Sequence, residues 1–461
     1  MTDPRELIDI ALAASTADGC IVIAQEHTET NLRWAANSLT TNGQMRTRTV
    51  TVVSTVDEAE GTSCGVVTRS VSNEEELESL VRAADKVARE SAPAEDAAPI
   101  VENYAHDDDW AGDPAETNVG VFEQFAGTLG GVLEQWRKSD RLLFGFAEHH
   151  MSSTYLGTST GLRRRHDQPD GRIELNGKSV DYTRSAYANE HAPTFGGVDV
   201  AAMADRLEQR LDWASKRVDL EPGRYETIMP PTTIADLLVY AYWLGSARDA
   251  EEGRSAYSAG DGATKVGTSL SPQPLHLHSD PGYPGIESAP FLVVPQSMAG
   301  VISVFDNGIA TGPVDWIRDG RLTALIANRA WAKQSTVEPR PFVDNLILDG
   351  GGTSDVDAMI ANTERGLLLT TLWYIRIVDP QTMLLTGLTR DGVYLVENGA
   401  VTAAVNNFRF NESPLDILAR ASEVGRTEHA MSREWSDYFR RTAMPPLRVP
   451  DFNMSTVSEA S

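Results

Sequence analysis

Cysteine is scarce in this chain: Cys20 and Cys64 are the only two in 461 residues. That excludes the disulfide framework on which many secreted chains rely. Both lie in apolar, strand-like surroundings and read as buried thiols. No run approaches the ~18 uninterrupted apolar residues of a membrane span. The stretch from Met1 to Leu7 has no basic region followed by an apolar core, so no signal peptide is expected. These absences predict a cytoplasmic protein with no membrane partner. Positive charge is also short: 40 Lys and Arg face 66 Asp and Glu, for a formal net charge of −26. Such a surface repels phosphate backbones, so no nucleic-acid partner is expected. It favours solubility and attracts basic peptides without specifying a partner. No solenoid or propeller period stands out.

What is present is an ordinary globular balance, 41% hydrophobic and 23% charged. The length suits two or three domains, each with a core of its own. Leu7, Ile8, Ala11 and Ala14 recur at helical spacing over 4–16. Buried or β-branched runs predict strands at 20–24, 31–36 and 46–54, with a turn at Thr41-Asn42-Gly43. Ser72 and Glu75 read as a capping box opening a helix to about residue 90. Residues 91–118, rich in Ala, Pro, Asp and Glu, read as a linker. Helix follows at about 119–138, strands at 141–150, 152–156, 160–166, 172–179 and 182–189, and helix again at about 198–216.

Pro222-Gly223 marks the expected domain boundary. After a helix at about 231–244, short apolar runs separated by Gly, Pro and Asp predict many strands. A short helix is expected with Ser354 as N-cap and Gly366 near its end. The fold class is thus α+β. An N-terminal α/β domain (1–90 and 119–221, joined by the linker 91–118) precedes a β-rich C-terminal domain (222–445). Residues 446–461, rich in Pro and Ser, read as a flexible tail.

Four segments in order resemble the TldD/PmbA family. They are TNLRWAANSLT at 30–40, STYLGTSTGLRRR at 153–165, PGRYETIMPP at 222–231, and a set comprising GLLLT from Gly366, Asp379-Pro380 and GVYLVENGAV from Gly392. The first is similar to the family's early strand and turn, the third to the strand entering its C-terminal domain. The resemblance implies a cytosolic, heterodimeric metallopeptidase system that trims peptides. One subunit, TldD-like, holds zinc; the other, TldE/PmbA-like, does not. The zinc type carries H-E-x-x-x-H on a C-terminal-domain helix and a later cysteine as third ligand. Two histidines about a turn apart share a helix face and clasp Zn²⁺, and the Glu takes a proton from metal-bound water.

An ungapped placement sets Leu238, Val239 and Trp243 where His, Glu and His would stand. Register is immaterial, because no histidine occurs between His191 and His276 and no cysteine follows Cys64. Leu, Val and Trp neither bind zinc nor relay a proton. The resemblance is therefore to the TldE/PmbA-type subunit, a non-catalytic member of a peptidase complex. No catalytic residue and no cofactor are assigned to this chain; zinc, a TldD-like partner and peptide substrates are expected around it.

His276 and His278 are the best alternative metal candidates. On a strand both rings face one side, with the Asp280 carboxylate nearby. Two solvated or hydrogen-bonded histidines are the plainer reading. An independent metal peptidase using that pair, or a binding protein on the same scaffold, are the competing functions. His149 and His150 point to opposite faces of a strand, so they make no joint site. Arg163-Arg164-Arg165-His166 reads as an exposed strand end. Gly350-Gly351-Gly352 lies between a strand and a helix, but no G-x-G-x-x-G or G-K-[ST] accompanies it, so a turn is expected. A nucleophile-elbow hydrolase is not expected.

Overall fold

The computed structural model describes residues 3–459 apart from 103–106, 108, 299, 336 and 391. The N-terminal half is built on long antiparallel strands: β1 (Gly19–Ala35), β2 (Ser38–Glu58), β3 (Gly61–Arg69), β4 (Arg141–Thr158), β5 (Arg163–Ser179) and β6 (Ser185–His191). Their spatial order is β3-β2-β1-β4-β5-β6. Helices α1 (Pro4–Ala14) and α2 (Glu74–Glu90) pack on Cys20, Val22, Ala24 and Tyr155. Helices α3 (Glu123–Arg137) and α4 (Val200–Trp213) pack on Trp34, Leu143, Ala147, Ile173 and Leu175. Along β4, Leu143, Ala147 and Tyr155 share one parity, so all four helices cover the same face. The other face turns Ile21, Ile23, Val53 and Leu156 toward Phe291, Val294 and Phe305 from the second half of the chain.

The predicted breaks within β1, β4 and β5 do not occur. The polar stretches read as breaks are tied down inside the sheet. Glu26 pairs with Arg48 in the next strand, and Thr28 Oγ1 accepts from Thr117 N at 2.9 Å. The turn expected at Asn42-Gly43 is also absent: Asn31 and Leu32 pair with Gly43 and Asn42 along the strands. The chain reverses instead at Ala36 and Asn37, with φ of 48° and 64°, a two-residue turn that matches the strand twist. Asn37 anchors it by donating to Arg141 O and accepting from Leu143 N. The α2 cap is Asn73, one residue after the expected Ser72, and it accepts from Glu76 N at 2.9 Å. The linker 91–118 forms no helix among its described residues, and 103–106 and 108 lie outside them. Ala94, Ala97, Ile100 and Val101 nevertheless pack against Ile21 and Val53.

The second half comprises β7 (Arg217–Val218), β8 (Gly223–Met229), α5 (Pro231–Trp243), α6 (Ala247–Glu251), β9 (Ser258–Gly260), β10 (Ala263–Thr264), β11 (His276–Ser279), β12 (Val314–Arg318), β13 (Arg321–Leu322), α7 (Arg329–Gln334) and β14 (Leu346–Asp349). It continues with α8 (Val356–Ala361), β15 (Arg365–Leu369), β16 (Trp373–Asp379), β17 (Leu384–Leu388), β18 (Val393–Glu397), β19 (Ala400–Val405), β20 (Phe408–Glu412), α9 (Pro414–Arg420), β21 (Glu423–Val424), β22 (Glu428–Ala430), β23 (Thr442–Met444) and β24 (Leu447–Val457). Among the described residues, one sheet runs β16-β17-β20-β24-β8-β15-β18-β19-β7, with β21 beside β24. Another runs β13-β12-β11-β14-β23-β22. Helix α5 is buried between them, within a cluster that includes Leu237, Leu238, Leu277, Leu346, Phe410 and Phe452.

Two expectations are corrected here. The flexible tail is a strand: β24 lies between β20 and β8, and Val449, Phe452 and Met454 are fully buried. Its Pro450 falls where the pairing register shifts, so it interrupts no ladder bond. The cap of α8 is Asp355, not Ser354, and Gly366 belongs to β15. Both halves thus carry sheets with helices against them, a mixed α+β fold.

Candidate functional site

Helix α5 is apolar almost all round, as a helix buried between two sheets must be. Leu238 is 2% exposed and Val239 0%, while Trp243 is half-buried. Around them stands an aromatic cluster. Trp243 meets Trp435 with centroids 5.2 Å apart, and Tyr240 lies at the same distance from Trp435. Tyr242 stacks on Phe342 at 5.0 Å, and its hydroxyl donates to Val343 O at 3.0 Å. The helix also carries an acid, Asp236, 0% exposed. Its Oδ1 accepts from Ser432 Oγ at 2.5 Å and from Glu434 N at 2.9 Å. Burial, with the Glu434 charge adding to it, pushes the carboxyl up to about 7 despite those bonds.

Segment 432–441 runs from α5 to the uncovered face of the N-terminal sheet. There, alternation along β1, β4 and β5 sends Gln25, His27, Glu29, Glu148, His150, Ser152, Gln168, Asp170 and Arg172 to one side. Of these, Gln25, His27, His150, Ser152, Gln168 and Asp170 border a cleft of about 430 Å³ closed by Asp344, Asp437, Tyr438, Arg440 and Arg441. Its floor is an ion-pair lattice. Arg172 Nε lies 2.8 Å from Glu148 Oε1, and Arg172 Nη2 lies 2.7 Å from Asp437 Oδ1. Arg440 Nη2 reaches Glu148 at 3.0 Å, and Arg441 Nη2 reaches Asp170 at 2.7 Å. Burial acts to raise the Glu148 carboxyl, yet His150, Arg172 and Arg440 outweigh it and hold it at about 2. Asp170 is likewise depressed against the cost of burial by His191 and Arg441. His191, whose Nε2 lies 3.1 Å from Asp170, is itself lowered by burial.

At the edge of the cleft three residues come together that the sequence alone does not connect. Glu29 stands directly across from His150, and His27 across from Ser152. His27 and Glu29 are two residues apart on β1 and so share a side. Among the described residues, His27, Glu29 and His150 are the group whose metal-binding atoms converge, all within 4.8 Å. His149 faces the opposite way, as expected, held by Thr117 and Pro193. The signal that unites the trio is strand register, which a single sequence does not display.

The other sequence candidates fall as follows. His276 and His278 share one side of β11, with rings stacked at 4.3 Å. His276 Nε2 lies 2.5 Å from Asp315 Oδ1 on β12, whereas Asp280 turns to Gly282 N. The Arg163–His166 run is not an exposed strand end. Arg165 is buried and pairs with Asp109 and Asp167, and Arg164 pairs with Asp107. At Gly352 a Cβ would collide with the carbonyl of Val424, so this glycine serves close backbone approach. Two stretches do match G-x-S-x-G, at 61–65 and 157–161. Neither is a strand-to-helix elbow. Ser63 lies in β3 and donates to Ala88 O at 2.6 Å, and Ser159 sits in the β4–β5 turn, accepting from Cys20 N.

Residues 222–456 match the family model described as the PmbA/TldA metallopeptidase C-terminal domain. That is just over half of the chain. The protein belongs to the TldD/PmbA metallopeptidase family. The search of curated proteins finds no match. Among solved structures, TldE from Thermococcus kodakarensis superposes with a TM-score of 0.79 at 15% identity, covering 97% of this chain and 99% of that one. A Bacteroides thetaiotaomicron protein provisionally titled a modulator of DNA gyrase gives 0.76 at 15% identity, covering 98% of both chains. A Thermotoga maritima protein with a similar title gives 0.71 at 17%, covering 97% of this chain and 99% of that one. At these identities the likeness speaks for the fold alone. No helix among the described residues is long and apolar enough to cross a membrane.

The metal that the family's description implies does not fit α5 in this TldD/PmbA member. Leu238, Val239 and Trp243 offer no donor atom, and the surrounding space is filled by Trp435, Phe439 and Tyr242. Asp236 on the same helix gives one oxygen to Ser432 and Glu434 N, and a single carboxylate with no histidine on the helix does not make a zinc site.

Proposed function

We propose that this chain is the TldE/PmbA-type subunit of a cytoplasmic metallopeptidase complex and that it is not the catalytic member. The observation that carries this reading is the composition of α5, where aliphatic and aromatic side chains pack where the zinc type needs His, Glu and His. A TldD-like partner supplies metal and base. This chain contributes the wall of a shared chamber. Its exposed strand edges offer main-chain groups to an extended peptide, and its acidic surface attracts basic ones. Family membership and the whole-length likeness to a TldE structure support the assignment.

Complex formation tests it. The tagged chain is co-expressed with a zinc-bearing TldD-like subunit from the same cell and analysed by size-exclusion chromatography with light scattering. A stable complex of the two chains is expected. Separate elution, with this chain pairing only with itself, counts against the proposal and favours a stand-alone binding protein.

A further inference from the structure

We infer that His27, Glu29 and His150 form a binding site for a divalent first-row transition ion of the zinc class, on the N-terminal sheet and separate from α5. The inference stands apart from the reading of the chain as a non-catalytic subunit, because it concerns binding and invokes no hydrolysis.

Two of the three side chains, His27 and Glu29, have one polar atom held by a neighbour outside the cluster and one turned into it. His27 Nδ1 lies 2.8 Å from Ser152 Oγ, which leaves Nε2. His150 Nε2 lies 3.2 Å from Glu148 Oε1, a charge contact without hydrogen-bond geometry, and its Nδ1 turns toward His27. Glu29 Oε1 accepts from Asn31 Nδ2 at 3.4 Å, which leaves Oε2. The Ser152 contact orients the His27 ring and bears on its tautomer, as the outer shells of metal sites do. The three remaining atoms converge. Nε2 of His27 and Nδ1 of His150 are 3.4 Å apart, and Nδ1 of His150 is 3.8 Å from Glu29 Oε2.

Adjacent ligands of a four-coordinate ion with bonds of about 2.0–2.2 Å stand about 3.3–3.6 Å apart. The imidazole pair already has that spacing, and the carboxylate has about 1 Å to move. In the structure the two imidazole nitrogens face each other at 3.4 Å, the place a bound ion would take. Two imidazoles and one carboxylate suit zinc and its neighbours, whereas Ca²⁺ and Mg²⁺ prefer more oxygen ligands. Three protein ligands leave a fourth position for water or an anionic group, in the cleft beside Gln25, His166 and Gln168.

The test uses the full chain, stripped with chelator and titrated with Co²⁺ and then Zn²⁺. One equivalent of Co²⁺ with the visible bands of a four-coordinate ion is expected, displaced by Zn²⁺. Glu29→Gln, which keeps size and shape, and His27→Ala are each expected to weaken binding at least ~10-fold, with Ser152→Ala giving a smaller loss. Zn²⁺ is expected to raise the melting temperature of the wild type but not of His27→Ala. His276→Ala, on the other histidine pair, is expected to bind like the wild type. Absence of stoichiometric binding, binding unchanged in both Glu29→Gln and His27→Ala, or loss confined to His276→Ala would overturn the inference.

Discussion

Asp236 is the residue on α5 with the clearest physical consequence. It is fully buried and its carboxyl is raised to about 7, chiefly by burial, against about 3.9 in an unfolded chain. Between about pH 4 and 7 the folded state holds a proton that the unfolded chain has released. Stability contributed at this site is therefore full below about pH 4, falls as pH rises through the window, and is flat above it. The loss is on the order of 4 kcal/mol in total. Asp236→Asn keeps the acceptor for Ser432 and Glu434 and cannot ionise. Urea unfolding at about pH 5 and about pH 8 is expected to show a shallower pH dependence in the variant. Equal dependence in both proteins would contradict the burial argument. At this scale the sequence was informative about what is missing: no register supplies a histidine to α5 from a stretch that has none. It was silent on His27, Glu29 and His150, because their convergence depends on pairing between strands 123 residues apart in the chain.

Helices announced themselves through apolar spacing, and α1, α4 and α5 differ from expectation by a few residues at their ends. Strands were harder. β1 and β5 each read as two because polar residues interrupt the pattern, and those residues are satisfied within the fold: Thr28 by Thr117, and Asp167 by Ser153 on the paired strand; in β4 the gap is Met151 alone. The C-terminal strand was misread for a different reason. Pro445, Pro446 and Pro450 look like the composition of a fraying tail, but alternation over Val449, Phe452 and Met454 fits a central strand with one bulge. Deleting residues 447–461 removes the strand that joins β20 to β8. The truncated chain is expected to be insoluble or to lose cooperative unfolding, checked by soluble yield and circular dichroism. A truncated protein that melts like the full chain would refute the central placement of β24.

Across the whole molecule, the two halves meet through the ion pairs around Asp170 and Glu148. Arg441 links Asp170 of the N-terminal sheet to Asp344 of the second half, with its own side chain 6% exposed. The link to Asp170 is the buried one, and removing one partner of a buried pair costs about 3 kcal/mol or more. Arg441→Ala is therefore expected to lower the urea midpoint and to let the two halves unfold separately. An unchanged single transition would mean the lattice contributes nothing to holding them together. The α+β class was legible from the alternation of patterns along the chain. The cleft was not, since it is built by side chains from β1, β4, β5 and the 437–441 segment. The account turns on whether α5 of this protein hydrolyses anything by itself, and peptide cleavage measured with added Zn²⁺ decides it most directly. No cleavage by this chain alone, and cleavage in a mixture with a TldD-like subunit that disappears when that subunit's zinc motif is mutated, is the predicted result. Chelator-sensitive cleavage by the isolated chain would contradict it.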